Sequence, residues 1–218
     1  MQIGIFGATG PAGSALGVRL ASVGFDVVLG SRQADRAEHV VADLMNHWSD
    51  LELPLKGGSN TDAADADLVV IATPWDSAAT TAHGFADRLA GKVVVSMANA
   101  LVRVGNEFQP LIPPRGSVAA HVQAGVPDAK VVAASHHLPA KQLGHIGHPI
   151  ESDVLICGDD KDAVQTVIDI TNEIPGCRPL DAGELSNAMA IEAFTAVLLQ
   201  LNVRYKTRVA PKLIGIRS

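Results

Sequence analysis

Three glycines recur near the start of the chain, in the segment Gly7-Ala8-Thr9-Gly10-Pro11-Ala12-Gly13. The segment follows a strand-like run and opens a helical stretch, which is the context of a dinucleotide-binding loop. Gly10 would let the backbone approach a diphosphate, and Gly13 would let helix and strand pack closely. Pro11 suits a first helical turn, whose free amides and positive dipole end favour phosphate. The segment therefore predicts a dinucleotide site at residues 7–13.

The end of the second predicted strand indicates which dinucleotide binds. It reads Gly30-Ser31-Arg32, and Arg36 follows one helical turn later. An NAD site normally places Asp or Glu here to bind the ribose 2′-hydroxyl. This chain has no carboxylate at that point, and two guanidinium groups with the Ser31 hydroxyl could bind a 2′-phosphate instead. The alternative is that both arginines only decorate the start of a helix. We predict NADP(H) rather than NAD(H).

The elements that would position these groups alternate along the chain in the βαβ pattern of a parallel sheet. Strands are predicted at residues 2–6, 26–30, 67–73, 92–96 and 130–134, and helices at 11–23, 35–48, 77–89 and 117–125. Residues 51–60 have no clear period and are predicted as a loop, after which Asn60, Thr61 and Asp62 would cap a short helix. The predicted fold class is therefore α/β, a Rossmann-type doubly wound parallel sheet.

The C-terminal part of the chain has a different character. A strand-like run at residues 154–157 precedes a helix that ends near Glu173 and is capped by Asp159 and Asp160. Residues 184–205 then read as one long apolar helix. We predict a dinucleotide-binding domain at residues 1–178 and a small C-terminal helical region at residues 179–218. The apolar surface of this helix is too continuous for the free face of a small monomer, so the region is expected to support a homodimer.

Composition limits the partners and the compartment. The chain has 218 residues and a formal net charge of -6, which suits one globular core and argues against a nucleic-acid partner. No apolar run approaches the roughly 20 residues that span a bilayer, and the N-terminus shows no secretory signal. Cys157 and Cys177 have no redox or zinc spacing. We expect a cytoplasmic protein with free thiols and no membrane partner.

The last residues of the chain are locally basic. The cations are Arg204, Lys206, Arg208, Lys212 and Arg217. This tail is either a solvated helix end or a site for an anionic ligand or a partner subunit.

Several further segments are more specific than the glycine loop. They are Thr73-Pro74-Trp75, Cys157-Gly158-Asp159-Asp160, Arg178-Pro179-Leu180-Asp181-Ala182-Gly183 and Leu185-Ser186-Asn187. With them the chain resembles, over nearly its whole length, the NADPH-dependent coenzyme F420 reductases, also called F420H2:NADP oxidoreductases. The resemblance implies a small cytoplasmic homodimer in which NADP(H) lies along the carboxyl ends of the strands. The deazaflavin ring of F420 would stack over the nicotinamide and exchange a hydride with it.

The resemblance also implies roles for individual residues. Thr9, Ser31, Arg32 and Arg36 match the NADP-phosphate contacts of the family, and Thr73, Pro74 and Trp75 lie where the cofactor crosses the sheet. Trp75 would either shield a cofactor face or fill the core beneath the loop. The loop Met97-Ala98-Asn99-Ala100 departs from the Pro-containing loop on the deazaflavin side of the family.

Hydride transfer depends on holding two rings face to face more than on a protein acid or base, so few catalytic side chains are expected. His136, just beyond the end of its strand, could form a wall or donate a hydrogen bond to the acceptor ring. It could also be an ordinary loop histidine. With His137, His145 and His148 it matches no common zinc spacing, so no metal is predicted.

Three functions remain open on the sequence. The first is an oxidoreductase that links NADP(H) to F420. The second is an NADPH-dependent reductase of another acceptor, such as a flavin, a ferric chelate or an imine, and the third is a non-catalytic NADP(H) sensor. All three would share the glycine loop. The segments at residues 180–183 and 185–187 favour the first.

Overall fold

A computed structural model describes residues 1–216 of the chain, and its centre is one sheet of eight strands. The strands of the described chain are β1 (Gln2–Phe6), β2 (Asp26–Ser31), β3 (Leu55–Ser59), β4 (Leu68–Ile71), β5 (Val93–Ser96), β6 (Leu101–Val104), β7 (Glu107–Pro110), β8 (Lys130–Ala133), β9 (Ser152–Gly158) and β10 (Cys177–Asp181). The order across the sheet is β10-β9-β8-β5-β4-β1-β2-β3, and β6 and β7 form a separate antiparallel hairpin.

Helices cover both faces of the sheet. They are α1 (Pro11–Ser22), α2 (Ala34–His47), α3 (Asn60–Ala64), α4 (Trp75–His83), α5 (Ala86–Leu89), α6 (Val118–Gly125), α7 (Ala140–Leu143), α8 (Lys161–Asn172) and α9 (Ala188–Tyr205). Each face has its own apolar cluster, with Ile5 and Leu29 in one and Phe6 and Val94 in the other. Burial on both faces explains the continuous apolar strands and confirms the predicted Rossmann-type fold.

The prediction of a loop at residues 51–60 is wrong, because residues 55–59 form β3, which pairs in parallel with β2. The run Leu55-Lys56-Gly57-Gly58-Ser59 lacks the alternation that marks a strand, so its pairing depends on tertiary contacts. A side chain at Gly57 would meet the backbone of Ala37 and Glu38 at 2.6 and 2.5 Å. Glycine is therefore needed where α2 crosses β3.

Two predicted helix boundaries also need correction. Ser59, rather than Asn60 or Thr61, is the N-cap of α3, and Asp62 completes a capping box with it. The single helix predicted at residues 77–89 begins at Trp75 and breaks at Gly84 and Phe85 into α4 and α5.

The C-terminal strands close the sheet. β9 runs antiparallel to β8, and β10 runs parallel to β9. Because β10 includes Arg178-Pro179-Leu180, the predicted domain boundary after residue 178 falls inside a strand, and the chain leaves the sheet only after Asp181. The helix predicted at residues 184–205 begins with a 3-10 turn, Leu185–Asn187, before α9.

The chain returns to this edge of the sheet near its described end. The Asp153 side chain is fully buried, and its carboxylate accepts hydrogen bonds from Arg178 at 2.8 and 2.7 Å and from the Leu213 amide. The Asp153 amide donates to the Pro211 carbonyl at 2.8 Å. Asp153 thus joins β9, β10 and the C-terminal segment. Arg217 of the basic tail lies outside the described residues.

A buried arginine fixes the segment that follows β8. The Arg19 guanidinium, on α1, donates to the carbonyls of Leu143 at 3.0 Å, Gln142 and His145 at 2.9 Å, and Ile146 at 3.2 Å. Every acceptor is a backbone carbonyl, so one side chain orders the whole turn around α7. Within residues 1–216 none of the helices has the length and apolar character needed to cross a membrane.

Candidate functional site

The glycine loop packs closely against the residues that follow β4, and this packing requires glycine at two positions. Gly7 has φ of +75°, and a side chain there would meet the backbone of Thr73 and Ala72 at 2.7 and 2.8 Å. A side chain at Gly13 would meet the Ala8 Cα and the Gly7 carbonyl oxygen at 2.9 Å. Glycine is thus required at residue 7 by conformation and contact, and at residue 13 by the packing of α1 on the loop.

The loop also leaves the N-terminus of α1 open to a ligand. Gly10 is the N-cap and Pro11 begins the helix, and the N-cap residue makes no side-chain capping hydrogen bond in the described chain. A side chain at Gly10 would meet only the Gly7 carbonyl oxygen, at 3.3 Å, so the space beside the loop is free. Uncapped amides at a helix N-terminus bind anions. These residues fit the diphosphate of a dinucleotide.

The predicted phosphate contacts lie at the end of β2. Ser31 ends the strand with its side chain mostly buried, and its hydroxyl accepts a hydrogen bond from the Gln33 amide at 3.3 Å. Arg32 and Arg36 are exposed, and neither forms an ion pair within the part of the chain that the structure describes. Both guanidinium groups are therefore free for an anion, and their binding of a 2′-phosphate stays a prediction.

A cleft of about 530 Å³ lies beyond the ends of β4, β5 and β8, with α9 on its far side. Thr73, Pro74, Trp75 and His136 all line it, so the structure brings together these predicted site residues from two separate loops. Ala12 of the glycine loop reaches the same cleft. Arg32 and Arg36 do not line it, and their contact with the cofactor stays a prediction.

Unpaired polar atoms point to a ligand in this cleft. Several polar atoms of the cleft are buried and have no hydrogen-bond partner in the part of the chain that the structure describes: the Thr73 hydroxyl, the Asn99 side-chain oxygen, both ring nitrogens of His136 and the Thr195 hydroxyl. Buried polar atoms in native proteins are nearly always paired, and each exception calls for an explanation. A polar molecule bound in the cleft would supply these partners.

The backbone before His136 presents its ring to the cleft. Ser135 has φ of 63°, a left-handed conformation that is uncommon outside glycine and found near functional sites. The Asn99 side chain donates to the His136 carbonyl at 2.9 Å. Burial, with a smaller contribution from His137, lowers the pKa of His136 to about 3. The imidazole is therefore neutral at physiological pH and offers one donor and one acceptor.

Glu192 on α9 lies behind His136. Its carboxylate accepts the Val118 amide at 2.8 Å and the Ala119 amide at 3.0 Å, which ties α9 to the N-terminus of α6. Burial raises the pKa of Glu192 to about 7, although both amides oppose this. The nearest oxygen lies 3.9 Å from His136 Nε2. That distance exceeds a hydrogen bond, and because the imidazole is neutral the contact is not an ion pair.

The distinctive segments near residues 158 and 183 meet in space and position α9. Asp159 accepts the Leu185 amide at 2.9 Å, and the Gly158 amide donates to the Gly183 carbonyl at 3.0 Å. Only Asp160 caps α8, through the Ala163 amide at 2.9 Å. The expectation that Asp159 also caps that helix is wrong, since it fixes the start of the C-terminal region instead.

Sequence reasoning missed Asn99 as a polar cleft residue, and it missed Thr195 and Glu192 entirely. One signal for the two residues on α9 was present, because Glu192, Thr195 and Asn202 share one face of a largely apolar helix. His145 and His148 are exposed and do not line this cleft. Among residues 1–216, no three His, Cys, Asp or Glu side chains are grouped so that they could hold a metal ion.

Comparison with known proteins adds an independent observation. Residues 2–100 match the family described as NADP oxidoreductase coenzyme F420-dependent. The chain is 35% identical over 213 residues to the F420-dependent NADP reductase of Methanocaldococcus jannaschii, covering 95% of each protein. It is 30% identical to the F420-dependent NADP reductase of Methanothermobacter marburgensis, covering 100% of this chain and 97% of that protein.

A solved structure gives the same result for the fold. The chain is similar to the crystal structure of a protein described as an F420-dependent NADP reductase from Arthrobacter sp. FB24, with a TM-score of 0.79 and 26% identity. The likeness covers 97% of this chain and 100% of the other. The similarity therefore includes the C-terminal region that covers the cleft.

Proposed function

This chain belongs to the coenzyme F420-dependent NADP oxidoreductases, and on that basis we propose that NADP(H) and F420 meet in the cleft between the glycine loop and α9. The protein is an oxidoreductase that transfers a hydride between NADP(H) and F420. The observation that carries the location is the set of buried, unpaired polar atoms at the carboxyl ends of β4, β5 and β8.

The proposed NADP(H) site extends from the cleft to β2. The first-turn amides of α1 would hold the diphosphate, and Ser31, Arg32 and Arg36 would hold the 2′-phosphate. Thr73 and Trp75 would border the nicotinamide end of the site. When bound, NADP(H) supplies the carbon that gives or receives the hydride. The contribution of the protein is to hold the donor and acceptor at short range and in register.

The other wall of the cleft would receive the deazaflavin ring. His136, Asn99 and Thr195 offer hydrogen bonds to the polar edge of the ring, and Met97, Leu138 and Leu198 provide apolar contacts that exclude water. Because His136 stays neutral, it can hydrogen-bond to the ring without placing a positive charge beside it. Behind His136, 3.9 Å from its Nε2, lies the Glu192 carboxyl, whose pKa burial raises to about 7.

We expect NADPH to reduce F420 in the presence of this protein, and reduced F420 to regenerate NADPH. The measurement is the fall and recovery of the absorbance of oxidised F420, with FMN and FAD as alternative acceptors. Both flavins should be poorer substrates. A faster rate with a flavin would instead favour a reductase of another acceptor, and NADPH binding without turnover in either direction would favour a redox sensor.

We also infer a homodimer formed through the C-terminal region. Met189, Phe194, Val197 and Tyr205 expose apolar surface along one side of α9, and the adjacent β6–β7 hairpin exposes Val102 and Val104. Exposed apolar side chains grouped in this way often mark an interface. On the same observation we propose that the chain divides into a dinucleotide-binding domain and a C-terminal region. The C-terminal region would serve dimerisation and binding of the acceptor. Free thiols at Cys157 and Cys177 fit the cytoplasmic location that we propose.

Light scattering at micromolar concentration should therefore give the mass of two chains. Val197→Glu, which puts a charge on this surface, should shift the mass toward one chain because the carboxylate would lose its water in the interface. Leu51→Glu is the matched control, since Leu51 precedes β3, outside α9 and the β6–β7 hairpin, and has similar exposure, 45% against 51%. A single-chain mass for the unmodified protein would contradict the proposal.

A further inference from the structure

A second groove opens beside the cleft, and its charged side chains are all basic. It is lined by Lys141, Gln142, His145, Asn202, Lys206, Thr207 and Arg208 and has a volume of about 530 Å³. Lys141, Asn202 and Arg208 line both the groove and the cleft, so the two spaces are continuous. Among residues 1–216, no Asp or Glu lines either space. The groove is therefore a positively charged extension of the cleft.

The basic side chains of the groove differ from two other lysines of the protein, which form ion pairs. Elsewhere Lys130 pairs with Asp160 and Lys212 pairs with Glu151. Within residues 1–216, Lys141, Lys206 and Arg208 pair with no carboxylate. This concentration of positive charge occurs in a chain whose formal net charge is -6. An anionic ligand would be attracted to this region of an otherwise acidic protein.

Both sides of the groove are built by specific contacts. On one side, Arg19 holds the carbonyls around α7, the helix that carries Lys141. On the other, Lys206 ends α9 in a left-handed conformation with φ of 51°, and the Asn202 side-chain oxygen accepts the Val209 amide at 2.6 Å. These contacts fix the backbone from which Lys206 and Arg208 project. Cations at the C-terminal end of a helix are also favoured by its dipole.

We propose that this groove binds the anionic side chain of the deazaflavin substrate, its phosphodiester and the carboxylates beyond it, while the ring occupies the cleft. This proposal rests on the proposed function. Lys141, Lys206 and Arg208 can form charge-assisted hydrogen bonds with phosphate and carboxylate oxygens. The 2′-phosphate of NADP(H) is assigned elsewhere, to the end of β2. From β8 to β2 there are four strand intervals, about 19 Å at ~4.8 Å per interval.

The test compares F420 with its riboside, 8-hydroxy-5-deazariboflavin, which has the same ring but no phosphate or glutamate. The double variant Lys206→Ala/Arg208→Ala should lower the ratio of kcat/KM for F420 to that for the riboside by about 100-fold or more, because it removes two charge-assisted contacts, each worth about 10- to 100-fold, from F420 alone. Fluorescence titration of F420 without NADPH should show a similar loss of affinity. In the unmodified protein, KM for F420 should rise with salt.

The control is Arg204→Ala/Lys212→Ala, which removes two cations from the same part of the chain without touching the groove. Its ratio should match that of the unmodified protein. An equal ratio in the two double variants, or an equal F420 affinity of the two, would overturn the assignment of the groove to the F420 side chain. Riboside turnover and the proposed function would be left intact. Failure of the unmodified protein to reduce either substrate would overturn both proposals.

Discussion

Replacing Arg32 and Arg36 together by alanine is expected to remove most of the preference for NADPH over NADH. Each single substitution should cost roughly 1.5–3 kcal/mol of NADPH binding, or about one to two powers of ten, because a charge-assisted hydrogen bond to the 2′-phosphate is lost. NADH lacks this phosphate and should scarcely be affected. Since each arginine can compensate in part for the other, the double variant should lose more discrimination than either single one.

The measurement is the ratio of kcat/KM for NADPH to that for NADH. Both arginines are exposed and unpaired in the described chain, so thermal stability should not change, and melting curves will check this. Arg115→Ala removes an exposed arginine elsewhere and serves as the control. An unchanged ratio in the double variant would mean that the phosphate is held by other residues. The assignment of Ser31, Arg32 and Arg36 would then be withdrawn.

Among the proposed substitutions, Asp153→Ala should cause the largest decrease in the free energy of unfolding. It leaves the Leu213 amide without its acceptor and removes both carboxylate contacts of the Arg178 guanidinium, which keeps only the carbonyls of Leu213 and Ile216, at the point where β9, β10 and the C-terminal segment meet. Breaking a buried ion pair by removing one partner costs about 3–5 kcal/mol. Arg178 is 32% exposed and can regain some water, so we expect a value near the lower end, about 3 kcal/mol.

Chemical denaturation at neutral pH gives the free energy of unfolding for this comparison. Glu151→Ala is the matched control, because Glu151 lies two residues away in an exposed pair with Lys212, and such pairs contribute about 0–1 kcal/mol. A loss at Asp153 no larger than the loss at Glu151 would contradict this account of the joint.

The same variant carries a pH dependence with a definite sign. The side-chain hydrogen bond from Arg178 holds the pKa of Asp153 below its ordinary value. A carboxyl with a lowered pKa stabilises the folded protein above its unfolded pKa, about 3.9 for Asp, and loses that contribution as the pH falls through the folded value. The difference in stability between the unmodified protein and Asp153→Ala should therefore narrow in acid.

The parts of the fold that the sequence predicted correctly have local signals. The first strand, glycine loop and α1 are contiguous, and Gly7 is conspicuous because its conformation and packing allow no other residue. The β6–β7 hairpin also had a local signal, Gly105-Asn106 between two strand-like runs, which the periodicity argument overlooked. By contrast, β3 is a strand only because β2 and α2 lie beside it, and no local pattern in its own residues indicates this.

The sequence predicted only part of the cleft. Thr73, Pro74, Trp75 and His136 were predicted and line it, while the phosphate contacts of Arg32 and Arg36 stay predictions. Arg32 and Arg36 follow from a rule about the end of one strand, whereas the opposite wall combines Asn99, His136 and Thr195 from three distant parts of the chain. The Asn99 side chain donates to the His136 carbonyl at 2.9 Å, and Thr195 lies on α9, which follows the contact of Asp159 with the Leu185 amide. A carboxylate before a helix usually reads as a cap, so its sequence neighbours suggested the wrong partner.

The position of Arg19 has a consequence for transplanting loops between related enzymes. The turn around α7 lies more than a hundred residues after Arg19, yet all the carbonyls that hold the guanidinium belong to it. A donor loop that places its carbonyls differently would leave a buried charge without acceptors, which is among the costlier defects in a protein interior. Such a graft would have to bring a matching residue on α1 as well. Among related enzymes that accept different substrates along this wall, we therefore expect the loop and position 19 to change together. A chimera that exchanges only the loop, or only residue 19, should fail to fold.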